Sequence, residues 1–151
     1  KFCGRDMAFA AAKVFMIHVH DSSQHAFSIF NLQRNHEDYD IGKVQDYIEK
    51  NYDEQLTING LAEKFNMSAR TFIRHFTSIT GNTPLEYIQR VRVEAAKRLL
   101  EKGKLTVEQV CMEVGYGDFG FFRNIFKRLT GLTPQEYKKK YGQMFNEVVV
   151  G

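Results

Sequence analysis

Between residues 40 and 141 the apolar side chains recur three and four positions apart, in short runs broken by polar turns. That is the period of amphipathic helices. Asp40 can cap a first helix on which Val44, Tyr47 and Ile48 share a face. Thr57 heads a short helix through Phe65, with Ile58, Leu61, Ala62 and Phe65 inward. Asn66 and Met67 make a turn, and Ser68 heads a helix whose core face is Phe72, Phe76 and Ile79. Gly81 ends it as a left-handed cap does. Thr83-Pro84-Leu85-Glu86 is a capping box with proline at the first helical position. The helix it opens runs to about Leu100 through Tyr87, Ile88, Val91, Ala95 and Leu99.

The pattern then returns. Residues 105–137 echo residues 56–87: Leu105-Thr106-Val107 matches Leu56-Thr57-Ile58, and Phe122 and Phe126 match Phe72 and Phe76. Thr130-Gly131 and Thr133-Pro134 match Thr80-Gly81 and Thr83-Pro84. Thr106 heads a helix through Val114, Gly115 and Gly117 make a looser turn that holds one inserted residue, and Asp118 heads a helix carrying Phe122, Phe126 and Leu129. Gly131 closes it, and Thr133-Pro134-Gln135-Glu136 caps a last helix ending near Tyr141. A repeat of this length is one supersecondary unit used twice. Each copy reads as helix, tight turn, helix, the layout of a helix-turn-helix DNA reader. No strand pattern stands out in the repeat.

Outside it, residues 5–17 read as an Ala-rich helix with almost no polar face, which must be buried against something. Residues 18–40 read as a polar linker, and residues 142–151 as a tail containing Val148, Val149 and Val150. The expected organisation is therefore a remnant of an upstream domain plus linker over 1–40, a double helix-turn-helix over 41–141, and a tail. A chain that opens on Lys1 fits a piece of a longer protein.

The 43% hydrophobic content is enough for a core in a chain of 151 residues, and no apolar run approaches the ~18 residues of a membrane span. The net charge of +3 says little until it is divided. Residues 43–141 hold 17 Lys and Arg against 12 Asp and Glu, while the remainder holds 4 against 6. The basic excess sits on the repeat, where a phosphate-binding surface would want it. Cys3 and Cys111 form no metal-like spacing, and Cys111 falls on an apolar helix face, as a buried thiol. With no signal peptide, a reduced, cytoplasmic compartment is expected.

An α-helix fits the major groove, where each base pair shows a distinct donor and acceptor pattern. In the first unit, Arg70, Ile73 and Arg74 lie away from the core face, with Thr71 beside them. Arg70 and Arg74 stand one turn apart, and an arginine fork reads guanine O6 and N7. In the second unit the equivalents are Gly120, Arg123 and Asn124, with Phe119 and Phe121 beside them. Asn124 can bond adenine, and Arg123 a base or a phosphate. Phe119 and Phe121 suit either a thymine methyl or the core. Candidates for the DNA backbone are Thr57, Thr71 and Thr106 at helix starts, with Lys127, Arg128 and the run Lys138-Lys139-Lys140. His75 suits the bundle edge better than catalysis. His18, His20, His25 and His36 lack the companions of a tetrahedral metal set, so no metal and no cofactor is expected.

The second unit and the helix before it carry a recognisable signature: Val114-Gly115-Tyr116, Asp118, Phe122-Arg123, Phe126-Lys127-Arg128, Thr130-Gly131, Thr133-Pro134 and Tyr137, preceded by Tyr87-Ile88-Gln89-Arg90-Val91-Arg92 and Glu94-Ala95-Ala96-Lys97-Arg98-Leu99-Leu100. Residues 43–141 thereby resemble the AraC/XylS family of bacterial transcription regulators. The resemblance implies an all-α fold of seven helices, two helix-turn-helix units joined by a long central helix, gripping one face of the duplex. It implies a transcription regulator, an activator rather than an enzyme, with double-stranded DNA as partner. It places the base-reading positions on Arg70, Ile73 and Arg74, and on Phe119, Gly120, Phe121, Arg123 and Asn124. Many relatives carry Arg at the position of Asn124 and a polar residue at that of Gly120, departures that weaken the case for direct reading by the second unit.

Residues 1–40 resemble, over a shorter stretch, the end of a class I glutamine amidotransferase-like domain found in one subgroup of that family. Met7 to Ile17 would be its closing helix, and Ser23-Gln24-His25-Ala26-Phe27 the lead into the linker. The missing part would then sense a ligand or form a homodimer, and its nucleophile would lie upstream of Lys1, so that Cys3 is not it. Two further readings stay open: an amidotransferase-like enzyme in the longer protein, and a module that docks on RNA polymerase.

Overall fold

The computed structural model describes residues 39–142. The expected helix over 5–17, nearly all of the linker, Cys3, the four histidines and the tail from residue 143 lie outside them. The described chain forms α1 (Tyr39–Asn51), α2 (Ile58–Lys64), α3 (Ala69–Thr80), α4 (Pro84–Lys102), α5 (Val107–Glu113), α6 (Phe119–Thr130) and α7 (Pro134–Tyr137), closed by a π-helical turn, Lys138–Gly142. No strand occurs among the described residues. The all-helical expectation therefore holds.

The boundaries follow the caps. Thr57, Ser68, Thr83, Thr106, Asp118 and Thr133 each accept a backbone N–H with the side chain at a helix start. Glu86, Gln109 and Glu136 reach back to complete reciprocal boxes. Hydrogen bonding to Thr133 holds the Glu136 carboxyl below the usual carboxylate range. Gly81 and Gly131 end α3 and α6 in the left-handed conformation. Three boundaries differ from expectation. Asp40, expected to cap α1, lies within its first turn, since the helix already runs from Tyr39. α4 continues past Leu100 to Lys102, because the left-handed residue that can stop it is Gly103, whose N–H bonds the Leu100 carbonyl. The last helix is regular only to Tyr137, and Gly142, expected in the tail, is buried in the π turn.

The repeat is repeated in space. Phe72, Phe76 and Tyr87 stack edge to face at 5.8 and 5.5 Å between ring centroids, and Phe122, Phe126 and Tyr137 stack at 5.8 and 5.4 Å. Such pairs prefer this tilted geometry because the ring edge is positive and the face negative. Thr80 Oγ1 donates to Phe76 O and accepts from Asn82 N, and Thr130 does the same with Phe126 and Leu132. The tyrosines extend the equivalence one helix upstream. Tyr87 donates to Glu49 on α1 at 2.6 Å, and Tyr137 donates to Glu101 at the end of α4. Each unit is therefore three helices and a capped fourth, and α4 belongs to both.

That double membership explains its composition. α4 packs against α1, α3, α5, α6, α7 and the π turn, whereas α2 packs on α3. Tyr87, Ile88, Val91, Val93, Ala95, Ala96 and Leu100 are all buried, a set too wide for one stripe, while Glu86, Arg90, Glu94 and Lys97 share the face left over. Two charged residues are buried on it as well, Arg92 and Glu101. Burial, with the Glu101 carboxylate beside it, pushes the Tyr137 phenol far above its ordinary range and keeps it a donor. Removing that donor should cost about 1–3 kcal/mol, the usual penalty for stripping a buried acceptor of its partner. Urea titration of Tyr137→Phe should show this loss. Tyr87→Phe should lose less, because Glu49 is only half-buried.

Candidate nucleic-acid interface

α3 is placed by two constraints. Ser68 fixes its first turn by accepting from Thr71 N at 3.2 Å, and Phe72 and Phe76 are fully buried beneath it. A 3.6-residue period then leaves Arg70, Ile73 and Arg74 on the open face, all exposed. Ile73 is exposed although apolar, at 39%. Thr71 is exposed beside them and His75 is half-buried. The structure thus brings together the three residues expected on the first reading face.

α6 repeats the arrangement with different chemistry. Asp118 accepts from Phe121 N at 2.8 Å, and Phe122, Ile125 and Phe126 are buried. Gly120, Phe121, Arg123 and Asn124 are exposed. Phe119 is not with them: its ring packs against the second core, 6.4 Å from Phe122. Phe121 is open at 54% exposure, held from beneath by an edge contact with Tyr116 at 5.9 Å. The two readings left open for these phenylalanines thus divide between them.

The turns before the two helices share one backbone. Met67 N bonds Ala62 O and Tyr116 N bonds Cys111 O, five residues back in each case. The residue before each is left-handed, Asn66 at φ 60° and Gly115 at φ 96°. The inserted residue is therefore Gly117, after the shared turn and before the Asp118 cap. Asparagine tolerates the left-handed region, yet position 115 has a second demand. A Cβ there would lie 3.0 Å from Tyr52 O and 3.1 Å from the Arg92 guanidinium.

The expected backbone contacts divide. Thr57 is exposed and accepts from Gly60 N, and the first turn of α2 holds no acidic residue. Thr106 is closed by its box with Gln109, and Glu108 lies in the first turn of α5. Lys127 is exposed. Arg128 donates to Gln89 on α4 at 2.8 Å, a bond at the surface. Lys138 is half-buried and donates to Leu105 O at 2.8 Å, which ties the π turn to the start of the second unit. Lys139 and Lys140 remain exposed. Sequence reasoning missed Gln89 and the buried Arg92. The partners of Arg92 lie about 40 residues away in the chain, so no local pattern points to it. Cys111 is buried as expected, and burial pushes its thiol up. Among the described residues no group of His, Cys, Asp and Glu is arranged to hold a metal ion, and no helix is long and apolar enough to cross a membrane.

Two short helices joined by a tight turn, the second with a basic open face, define a helix-turn-helix, and here it occurs twice on one shared helix. A family profile described as a helix-turn-helix domain matches residues 61–140. The bifunctional transcriptional activator/DNA repair enzyme AdaA of Bacillus subtilis is 36% identical over 99 residues, covering 66% of this chain and 47% of that protein. The MmsAB operon regulatory protein of Pseudomonas aeruginosa is 29% identical over 104 residues, 69% of this chain and 34% of that protein. Among solved structures, the DNA-binding domain of the global transcriptional factor AdpA, in complex with a target DNA, superposes with a TM-score of 0.64 at 34% identity, over 67% of this chain and 91% of that one. The chain belongs to this helix-turn-helix family, and its double unit is an AraC-type DNA-binding domain. It spans between a third and a half of the length of these two curated relatives.

The contact between Lys138 and Leu105 gives a direct test of role. Lys138→Ala should lower stability by about 1 kcal/mol through the lost charge-assisted bond, while Lys139→Ala leaves it unchanged. Thermal melts of the two variants compare them without any ligand.

Proposed function

We propose that this chain is the DNA-binding part of a transcription regulator, an activator, that reads two successive major-groove segments with α3 and α6. The observation that carries this reading is the open face of α3. Two arginines one turn apart, Arg70 and Arg74, flank an exposed isoleucine on a helix whose opposite face is locked by Phe72 and Phe76. Each guanidinium can bond guanine through O6 and N7, and Ile73 suits a thymine methyl. α6 offers Arg123, Asn124 and the supported ring of Phe121, with Gly120 leaving the helix start open. Phe119, turned to the core, adds no base contact. Asp118, at the head of α6 where the first unit has neutral Ser68, disfavours phosphate there. The first unit therefore carries most of the base readout. Thr57, Thr71, Lys127 and Arg128 grip the backbone, Arg128 by exchanging Gln89 for a phosphate. Thr106 and Lys138 contribute less, being occupied by Gln109 and Leu105.

For the protein as a whole, an upstream glutamine amidotransferase-like sensor domain, self-association through it, contact with RNA polymerase and a cytoplasmic location complete the reading. They rest on the resemblance of residues 1–40 and of the double unit. AdaA is described as both activator and repair enzyme, so a second activity in a longer protein is a matter for that upstream part.

Selection from random duplexes should enrich an asymmetric site of two short blocks. Arg74→Ala should then lose about 1–3 kcal/mol at one base pair and relax preference there. Unaltered preference at every position removes Arg74 from the reading face. Affinity should fall steeply with salt, by several phosphates' worth of counterions, and a flat response argues against duplex binding altogether.

A further inference from the structure

Arg92 is buried, at 9% exposure, in the middle of α4. Its Nε donates to Tyr52 O and its Nη2 to Glu54 O, both at 2.7 Å, in the loop that leads from α1 to α2. The same guanidinium lies 5.0 Å from the centre of the Tyr116 ring, in the turn between α5 and α6. Gly115 comes so close that a Cβ would press on Tyr52 O at 3.0 Å and on the Arg92 guanidinium at 3.1 Å. One planar fork thus touches the loop between the first two helices of the first unit and the turn that precedes the second recognition helix. Tyr52 also packs on the second core, which makes this junction a place where the two units meet away from the α4 backbone.

The contact has no twin in the repeat. The Tyr–Glu pairs align Glu49 with Glu101, and that register sets Arg92 against Asp40, an exposed residue. Residues that serve each unit are duplicated here, as the caps, aromatic rings and tyrosines show. A buried charge present once, bonded to one unit and stacked on the other, serves the relation between them.

We infer that Arg92 is a positioning residue that fixes the angle and separation of α3 and α6, and so sets the spacing between the two DNA blocks the chain accepts. This rests on the DNA-reading proposal above. Adding one base pair between blocks moves the second by about 3.4 Å and rotates it by about 35°. A rigid junction resists that change; a loosened one follows it. Arg fits the task better than Lys, since its fork meets two carbonyls at once while its face stacks on a ring.

The test uses a duplex enriched from a random pool by the unmodified chain, with versions carrying one base pair inserted or deleted between the blocks. The unmodified chain should lose about tenfold or more in affinity on either change, and Arg92→Met about twofold. An Arg92→Met chain that keeps the full spacing preference overturns the proposal. A second measurement needs no DNA. Spin labels at Ser78→Cys on α3 and Lys127→Cys on α6, in a Cys3→Ser background that leaves Cys111 buried, report the distance between the helices. Arg92→Met should broaden that distribution with helical content unchanged, and an unbroadened one overturns the proposal. If Arg92→Met does not fold, Arg92→Lys is read by the same two criteria. If the unmodified chain enriches no duplex, the DNA reading fails, while the distance measurement still decides the positioning role.

Discussion

Everything in the described chain depends on one helix having to serve two cores. α4 supplies the closing helix of the first unit through Tyr87, Ile88 and Val91, and the opening helix of the second through Val93, Ala96 and Leu100. A helix with one buried stripe can spend its other faces on charge; α4 keeps one narrow face for it, with Glu86, Arg90, Glu94 and Lys97. Its buried charges must be paired internally, since an uncompensated one would cost several kcal/mol. Glu101 receives the Tyr137 hydroxyl, and Arg92 finds two carbonyls and a ring. The polar network at the junction is thus a condition of sharing the helix at all.

The division between shared scaffold and private surface runs through both units. The caps, the left-handed glycines and the Phe–Phe–Tyr stacks are common to both. The open faces differ: two arginines and an isoleucine on α3, one arginine, an asparagine and an exposed phenylalanine on α6. Cores built on the same aromatic stack hold unlike surfaces because helix periodicity separates the two sets of positions. Each face can be altered without disturbing the packing beneath it.

Much of this was legible before any coordinates. Local rules decide helix starts and stops, and Thr83-Pro84-Leu85-Glu86 or Gly131 can be read with neighbours only a few residues away. Arg70, Ile73 and Arg74 were legible for the same reason, since their exposure follows from the burial of Phe72 and Phe76. The illegible parts rest on partners far along the chain. Arg92 lies 40 residues from Tyr52, and Glu101 lies 36 from Tyr137. Nothing within a helical turn of either residue announces those bonds. Phe119 and Phe121 could not be separated from sequence, because the looser turn at Gly117 shifts which of them meets the core. Gly103, not Leu100, ends α4 for a local reason that the apolar pattern conceals, because its last apolar residue comes three residues before the stop.

The sharing of α4 has a consequence for how the chain is made. During synthesis α1, α2 and α3 emerge first, and α4 completes their core. Once docked, it turns Val93, Ala96 and Leu100 toward solvent until α5, α6 and α7 arrive. A first unit folded ahead of the second would bear an apolar seam, the surface on which the second unit packs. If assembly follows translation, that surface is open only for the time the ribosome takes to add about forty more residues, a few seconds.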